Sequence, residues 1–157
     1  MPAMGRPKPG RIADHPLYDQ DLHAWIEEDV GLLREGRLSE VDVIHLGDEL
    51  EDMAKGEQRA FASRLGVLLA HLLKWQHQPE RRGSSSINTI AEQRLQLDGL
   101  LEQGPSLARQ LPSRIERAYR YGVKTAAKEI GIEESRFPDH YPYSENQILD
   151  PDFWPSN

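Results

Sequence analysis

Apolar residues recur along this chain at helical spacing, and no segment shows the alternation of a strand. After His15-Pro16, Asp19 or Asp21 is placed to cap a helix through WIEEDVGLLREG, with Gly36 as its stop. Ser39 reads as the next cap. Val43, Leu46, Leu50 and Met53 then fall at i, i+3, i+7 and i+10, one face of a helix. Gly56 breaks or kinks it, and the spacing resumes with Phe61, Leu65, Leu68, Leu69 and Leu72 until Pro79. The region from Ser39 to Gln78 is thus one long or kinked central helix, with Leu68 and Leu72 in the core. GSSS at 83–86 is a loop and cap before INTIAEQRLQLDGLLEQG, where Ile87, Ile90, Leu97 and Leu101 share a stripe. Gly104-Pro105 stops that helix. A last helix is predicted from about Ser113 to Ile130, with Ile115, Tyr119, Gly122, Ala126 and Ile130 on its apolar side. Arg117, Arg120, Lys124 and Lys128 point away from that side. Beyond Gly131 runs FPDHYPYSENQILDPDFWP, where Ser144-x-x-Gln147 is a capping-box pattern for one short helix. The pattern predicts an all-α bundle of four to five main helices with an irregular, aromatic- and proline-rich C-terminal tail.

Composition narrows the setting. A chain of 157 residues, 38% hydrophobic and 29% charged, has the make-up of a soluble globular domain. Residues 1–17 read as a flexible leader and 18–157 as a single helical domain. No apolar run approaches the ~20 residues of a membrane span, so no membrane partner is expected. MPAMGRPKPGR has no apolar stretch of the secretory kind. Cysteine is absent, which removes disulfides, thiol nucleophiles and thiolate zinc sites, and makes a bacterial-type cytoplasm the default. The net charge of −7 argues against strong non-specific binding to nucleic acid. That charge is uneven, acidic from Asp19 to Asp52 and basic from Arg114 to Lys128.

Several stretches are familiar together. YDQDLHAWIEEDVGLLREGR, DELEDM, LLAHLLKWQHQPERR, TIAEQR and the terminal DFWP resemble the domain-of-unknown-function family number 29. The resemblance covers nearly everything from Tyr18 to Pro155, and HLLKW-x-x-QP with the closing FWP are its most specific parts. It implies a compact helical protein, mostly bacterial, with no established activity. Two departures stand out: Ser86 stands where the family often has tryptophan, and Tyr141-Pro142-Tyr143 where it often has Cys-Pro-Tyr.

Candidate chemistry is sparse. Arg64 and His71, within RLGVLLAHLLKWQHQPERR, are seven residues apart and so share a helical stripe at the border of core and surface. Their spacing resembles the signature of the HEPN helical RNases, which place both groups in a cleft between protomers. Histidine would move a proton at the 2′-hydroxyl while arginine stabilised charge on the phosphate. The structural reading, preferred here, is a histidine hydrogen-bonded at a helix seam and an arginine paired with a carboxylate. His45, Asp48, Glu49 and Asp52 lie on one helical face, as in di-metal sites and helical phosphohydrolases, with Glu27, Glu28 and Asp29 as a second ligand set. A solvated surface is the simpler reading. Lys74, His77, Arg81 and Arg82 form a cationic cluster that the helix dipole alone accounts for, with an anion site as the alternative. The stripe Arg117, Arg120, Lys124 and Lys128 reads as a solvated face, with RNA or an acidic helix as the alternative. No nucleophile elbow, phosphate loop or dinucleotide fingerprint occurs.

The expectation is a non-enzymatic bundle without a cofactor, acting through protein contacts or self-association as a small oligomer. Its rivals are an RNase built on Arg64 and His71, which alone would call for RNA, and a divalent-metal phosphohydrolase built on Asp48, Glu49 and Asp52.

Overall fold

The chain is described by a computed structural model over residues 16–156, and its helices follow from local chemistry. Short helix α1 spans Pro16–Gln20 and α2 spans Leu22–Arg34. Asp21 caps α2 by accepting from the backbone N–H of Ala24 at 3.0 Å, and Gly36, at φ +72°, supplies the left-handed residue beyond its end. Helix α3 runs without a break over Val43–His77. Its cap is not Ser39, which sits in a 3₁₀ turn, Leu38–Glu40. Asp42 does that work, its Oδ1 accepting from the His45 N–H at 3.3 Å. Gly56 does not interrupt the helix, because one glycine costs only ~1 kcal/mol against its flanking turns. Gln78 leaves helical geometry ahead of Pro79, as a residue preceding proline tends to.

Helix α4 spans Ser84–Gln103 and α5 spans Leu111–Ile130. Helix α5 starts ahead of Ser113 because Pro112 suits a first turn, and it ends where Gly131 turns left-handed at φ +81°. The Ser144–Gln147 capping box opens α6, Glu145–Leu149. No strand occurs among the described residues, so the chain is all-α, with four long helices and two short ones. The predicted leader lies outside the described residues but for Pro16 and Leu17, which begin α1. No helix of the described residues is long and apolar enough to cross a membrane.

Two compact units are formed, one ending at Met53 and one beginning at Ala54, and α3 contributes turns to each. In the C-terminal unit, Phe61, Leu65, Leu68, Leu69, Leu72 and Leu73 of α3 pack with Ile90 and Leu97 of α4 and with Ile115, Tyr119 and Val123 of α5. Helices α3 and α5 approach closely at Gly122, where an added Cβ would stand 3.1 Å from the Ala70 backbone nitrogen and from Leu69 Cβ. That closeness lets the leucines of α3 pack directly against α5.

The aromatic tail covers this core. Phe137, Tyr143 and Ile148 are buried, and Trp154 lies against Trp75 with ring centroids 4.6 Å apart. Tyr119 donates its hydroxyl to the Pro138 carbonyl, and Tyr143 to Gln76 Oε1, each at 2.7 Å. The chief fastening is Arg94, only 3% exposed, on the same α4 stripe as Ile90 and Leu97. It donates from Nε to the Ile148 carbonyl at 2.9 Å and from Nη2 to the Gln147 carbonyl at 3.3 Å, and its guanidinium lies over Trp154 at 5.8 Å. Burial works against its charge, yet an arginine keeps its proton in a protein, so its hydrogen bonds to the carbonyls are charge-assisted. Arg94→Ala leaves both carbonyls unmatched and should cost ~1–3 kcal/mol. Limited proteolysis should then cut between Phe137 and Trp154 faster than in wild type; an unchanged digestion pattern would contradict this fastening.

Candidate functional site

A polar cluster sets the arrangement of the N-terminal unit. Trp25 of α2 is buried, and its Nε1–H donates to Asp42 Oδ2 at 3.1 Å. His45 Nδ1 stands 2.6 Å from the same oxygen, and the Asp42 N–H donates to Asp29 Oδ1 at 3.2 Å. Burial opposes the charge on Asp42, but the hydrogen bonds from His45 and Trp25 outweigh it and hold its carboxyl below the usual range. Tyr18 stacks on His45 at 4.0 Å and donates to Glu49 Oε1 at 2.7 Å. That hydrogen bond, with burial, pushes the phenol up to about 12. Helices α1 and α2 are thereby tied to the first turns of α3 along one side.

Beside this cluster, α2 and the first turns of α3 leave an apolar groove of about 280 Å³, with Trp25 and Asp29 in its wall. Ile26, Val30 and Leu33 line it from α2, and Leu46, Leu50 and Met53 from α3. Glu49 and Asp52 also border it. Leu50 is 55% exposed and Met53 64%, so the face that helical spacing marks as apolar is not a core face here. The reason is physical: two helices can share one seam, but a third element is needed to bury what lies beside it. Residues 16–53 also carry twelve carboxylates against two arginines, so the groove opens in a strongly acidic unit.

The residues singled out by sequence are placed as follows. His45 and Glu49 have the partners just named, while Asp48 and Asp52 are exposed. Among the described residues no group of three or more histidines and carboxylates stands ready to hold a metal ion. Of the second ligand set, Glu27 is exposed near His23, and Asp29 is buried beneath the Asp42 backbone. Within the cationic cluster, only Lys74 and Arg81 share a hollow, about 250 Å³, with Trp75, Gln78, Ser86 and Glu129. Lys74 is ion-paired with Glu129. Arg82 donates to the Trp75 carbonyl at 2.8 Å and lies over that indole at 5.2 Å, while the His77 ring meets Phe137. Lys74 thus has its counter-charge in Glu129, while Arg82 and His77 have aromatic neighbours.

Arg64 and His71 are both half-buried, yet their surroundings differ. Arg64 Nη1 reaches Gln93 Oε1 on α4 at 3.4 Å, an amide and not the expected carboxylate. His71 lies in the field of Lys74 and Glu129, and its Nδ1 is buried with no hydrogen-bond partner, where a seam histidine was expected to have one. The apolar groove and the polar hollow are lined by neither. Sequence reasoning passed over both the groove and Arg94. The signal for the second was an arginine in step with Ile90 and Leu97.

The family described as Domain of unknown function DUF29 matches over residues 17–154, so the chain belongs to that family. Comparison with curated proteins and with solved structures gives no match.

Burial, with the Lys74 charge, lowers the pKa of His71 from its ordinary 6.5, and Glu129 opposes this only in part. Above that value the ring is neutral in both folded and unfolded chains. As pH falls below it, the unfolded chain takes up a proton that the folded one resists, so acid favours unfolding. Wild type should therefore lose more thermal stability than His71→Gln between pH ~7.5 and ~5.5. Parallel melting curves for the two proteins would contradict the burial of this ring.

Proposed function

We propose that this member of the family is a docking module, whose N-terminal unit takes an amphipathic helix of a protein partner into the groove between α2 and the first turns of α3. The observation that carries this reading is the exposure of Leu50 and Met53 beside Ile26 and Leu33 in one concave apolar face. Burying a side chain of that size is worth ~1.5–3 kcal/mol, and contiguous exposed apolar surface of this kind marks interaction sites. A third helix laid along the groove would complete the layer that α2 and α3 leave open.

Charge selects the partner. Twelve carboxylates against two arginines favour a helix whose apolar stripe is flanked by Lys and Arg. A second copy offering the same face would set like charges against each other. Its basic α5 stripe, with Arg117, Arg120, Lys124 and Lys128 exposed, has little apolar surface for the groove. Self-association through this face is therefore the weaker outcome. Cleavage of RNA by Arg64 and His71 has less support, since one is held toward Gln93 and the other sits beside Lys74 and Glu129.

Fluorescence anisotropy with a labelled helical peptide of leucine and lysine tests the reading. Wild type should bind it, more weakly as salt rises, and should ignore the matching leucine–glutamate peptide. Replacing Leu50 and Met53 together by serine, at exposed positions that leave the fold intact, should weaken binding at least ~10-fold. Equal binding of the two peptides, or of the double variant, would sink the proposal. Sedimentation of the protein alone shows whether a second copy takes the groove instead.

A further inference from the structure

A second concavity, wholly within the C-terminal unit, has a different chemistry. A cleft of about 640 Å³ opens between α3, the 3₁₀ turn at Pro105–Gln110 and α5. Gln58 and Ser63 line it from α3, Gln110 from the turn, and Arg114, Arg117 and Tyr121 from α5. Its volume lies in the range of small-molecule sites, ~300–1,000 Å³.

Two features set this cleft apart from a solvated basic surface. First, Arg114 and Arg117, one helical turn apart, both face it, and no lining residue is acidic. The acidic neighbour in sequence, Glu116, is turned to His140 at 3.2 Å instead. Two guanidinium groups in one concave wall repel each other and concentrate positive potential, and the wall itself supplies no counter-charge. Arg114 is held in place: Gln110 Oε1 accepts from Nη2 at 2.7 Å, and the guanidinium lies 5.9 Å from the Phe61 ring centroid. Its Nε is buried without a partner, so the protein leaves this group's donors only partly matched.

Second, the cleft has an aromatic wall. The Tyr121 ring lies against the α3 backbone at Gly66, where an added Cβ would stand 2.7 Å from Tyr121 Cδ1. The ring is nevertheless 57% exposed, offering a flat apolar face beside the two cations. Amide and hydroxyl groups of Gln58, Gln110, Ser63 and Ser113 complete the lining.

We propose that this cleft binds a small molecule joining an oxyanion to a planar ring, with Arg114 and Arg117 taking the oxyanion and Tyr121 the ring. A guanidinium fork matches either a phosphate or a carboxylate, and its charge-assisted hydrogen bonds to both are shorter and stronger than those to a neutral acceptor. This proposal stands apart from helix docking in the N-terminal unit and survives or fails independently.

Ligand-observed NMR with phenyl phosphate, benzoate, inorganic phosphate and phenol is the test. Phenyl phosphate or benzoate should bind more tightly than phenol and inorganic phosphate, and whichever of the two is preferred identifies the oxyanion. Arg117→Gln, at an exposed position, should weaken that binding at least ~10-fold. Tyr121→Ala should weaken phenyl phosphate or benzoate several-fold while leaving inorganic phosphate unchanged. Phenol binding as tightly as the anions, an Arg117→Gln protein that binds normally, or no anion binding at millimolar concentration would each overturn the proposal. Inorganic phosphate matching phenyl phosphate would overturn the role of the ring.

Discussion

Every buried residue of α3 lies between Phe61 and Leu73, so the turns from Val43 to Met53 must find cover for their apolar positions elsewhere. Helix α2 supplies only part of it. Tied to α3 by the Trp25–Asp42–His45 cluster, it closes one seam and leaves Ile26, Leu33, Leu50 and Met53 around an open groove. Polar groups at that seam carry a further consequence. A hydrogen-bonded cluster is directional, so it fixes how the two helices meet more strictly than an apolar contact of equal size. The groove is thus held in shape by interactions that do not themselves fill it.

In the C-terminal unit the same helix meets the opposite circumstance. Gly66 and Gly122 let α5 close on α3, and the tail is drawn over the remaining surface by Arg94, Tyr119 and Tyr143. The aromatic residues there serve packing, Trp154 on Trp75 among them. Excess negative charge falls on the N-terminal unit, whereas the arginines of α5 lie in the other, in a cleft whose lining holds no carboxylate.

Much of this was legible in the sequence. The spacing of Phe61, Leu65, Leu68 and Leu72 located the core face of α3, and Ser144 with Gln147 located α6. Periodicity failed at Leu50 and Met53 because it assigns residues to a face without saying whether another element covers that face. Ser39 was mistaken for a cap because Asp42 fits the same chemistry a few residues on, and only the backbone path selects between them. Arg94 was hidden in an otherwise apolar stripe, since its partners are carbonyls 53 and 54 residues away. Spacing brought Arg64 and His71 to one stripe, but their surroundings are set by tertiary packing, which brings Gln93 of α4 to Arg64 and buries the His71 ring.

Helix α3 thus has a core over its second half and borders, over its first, the apolar groove proposed above to dock a helix. Hydrogen–deuterium exchange reads this directly, because amides under a packed face exchange only through rarer openings. In the protein alone, amides from Leu46 to Met53 should exchange much faster than those from Leu65 to Leu73. Adding the leucine–lysine peptide should slow the first set and leave the second unchanged. Equal protection of both segments in the isolated protein, unaltered by the peptide, would contradict the account.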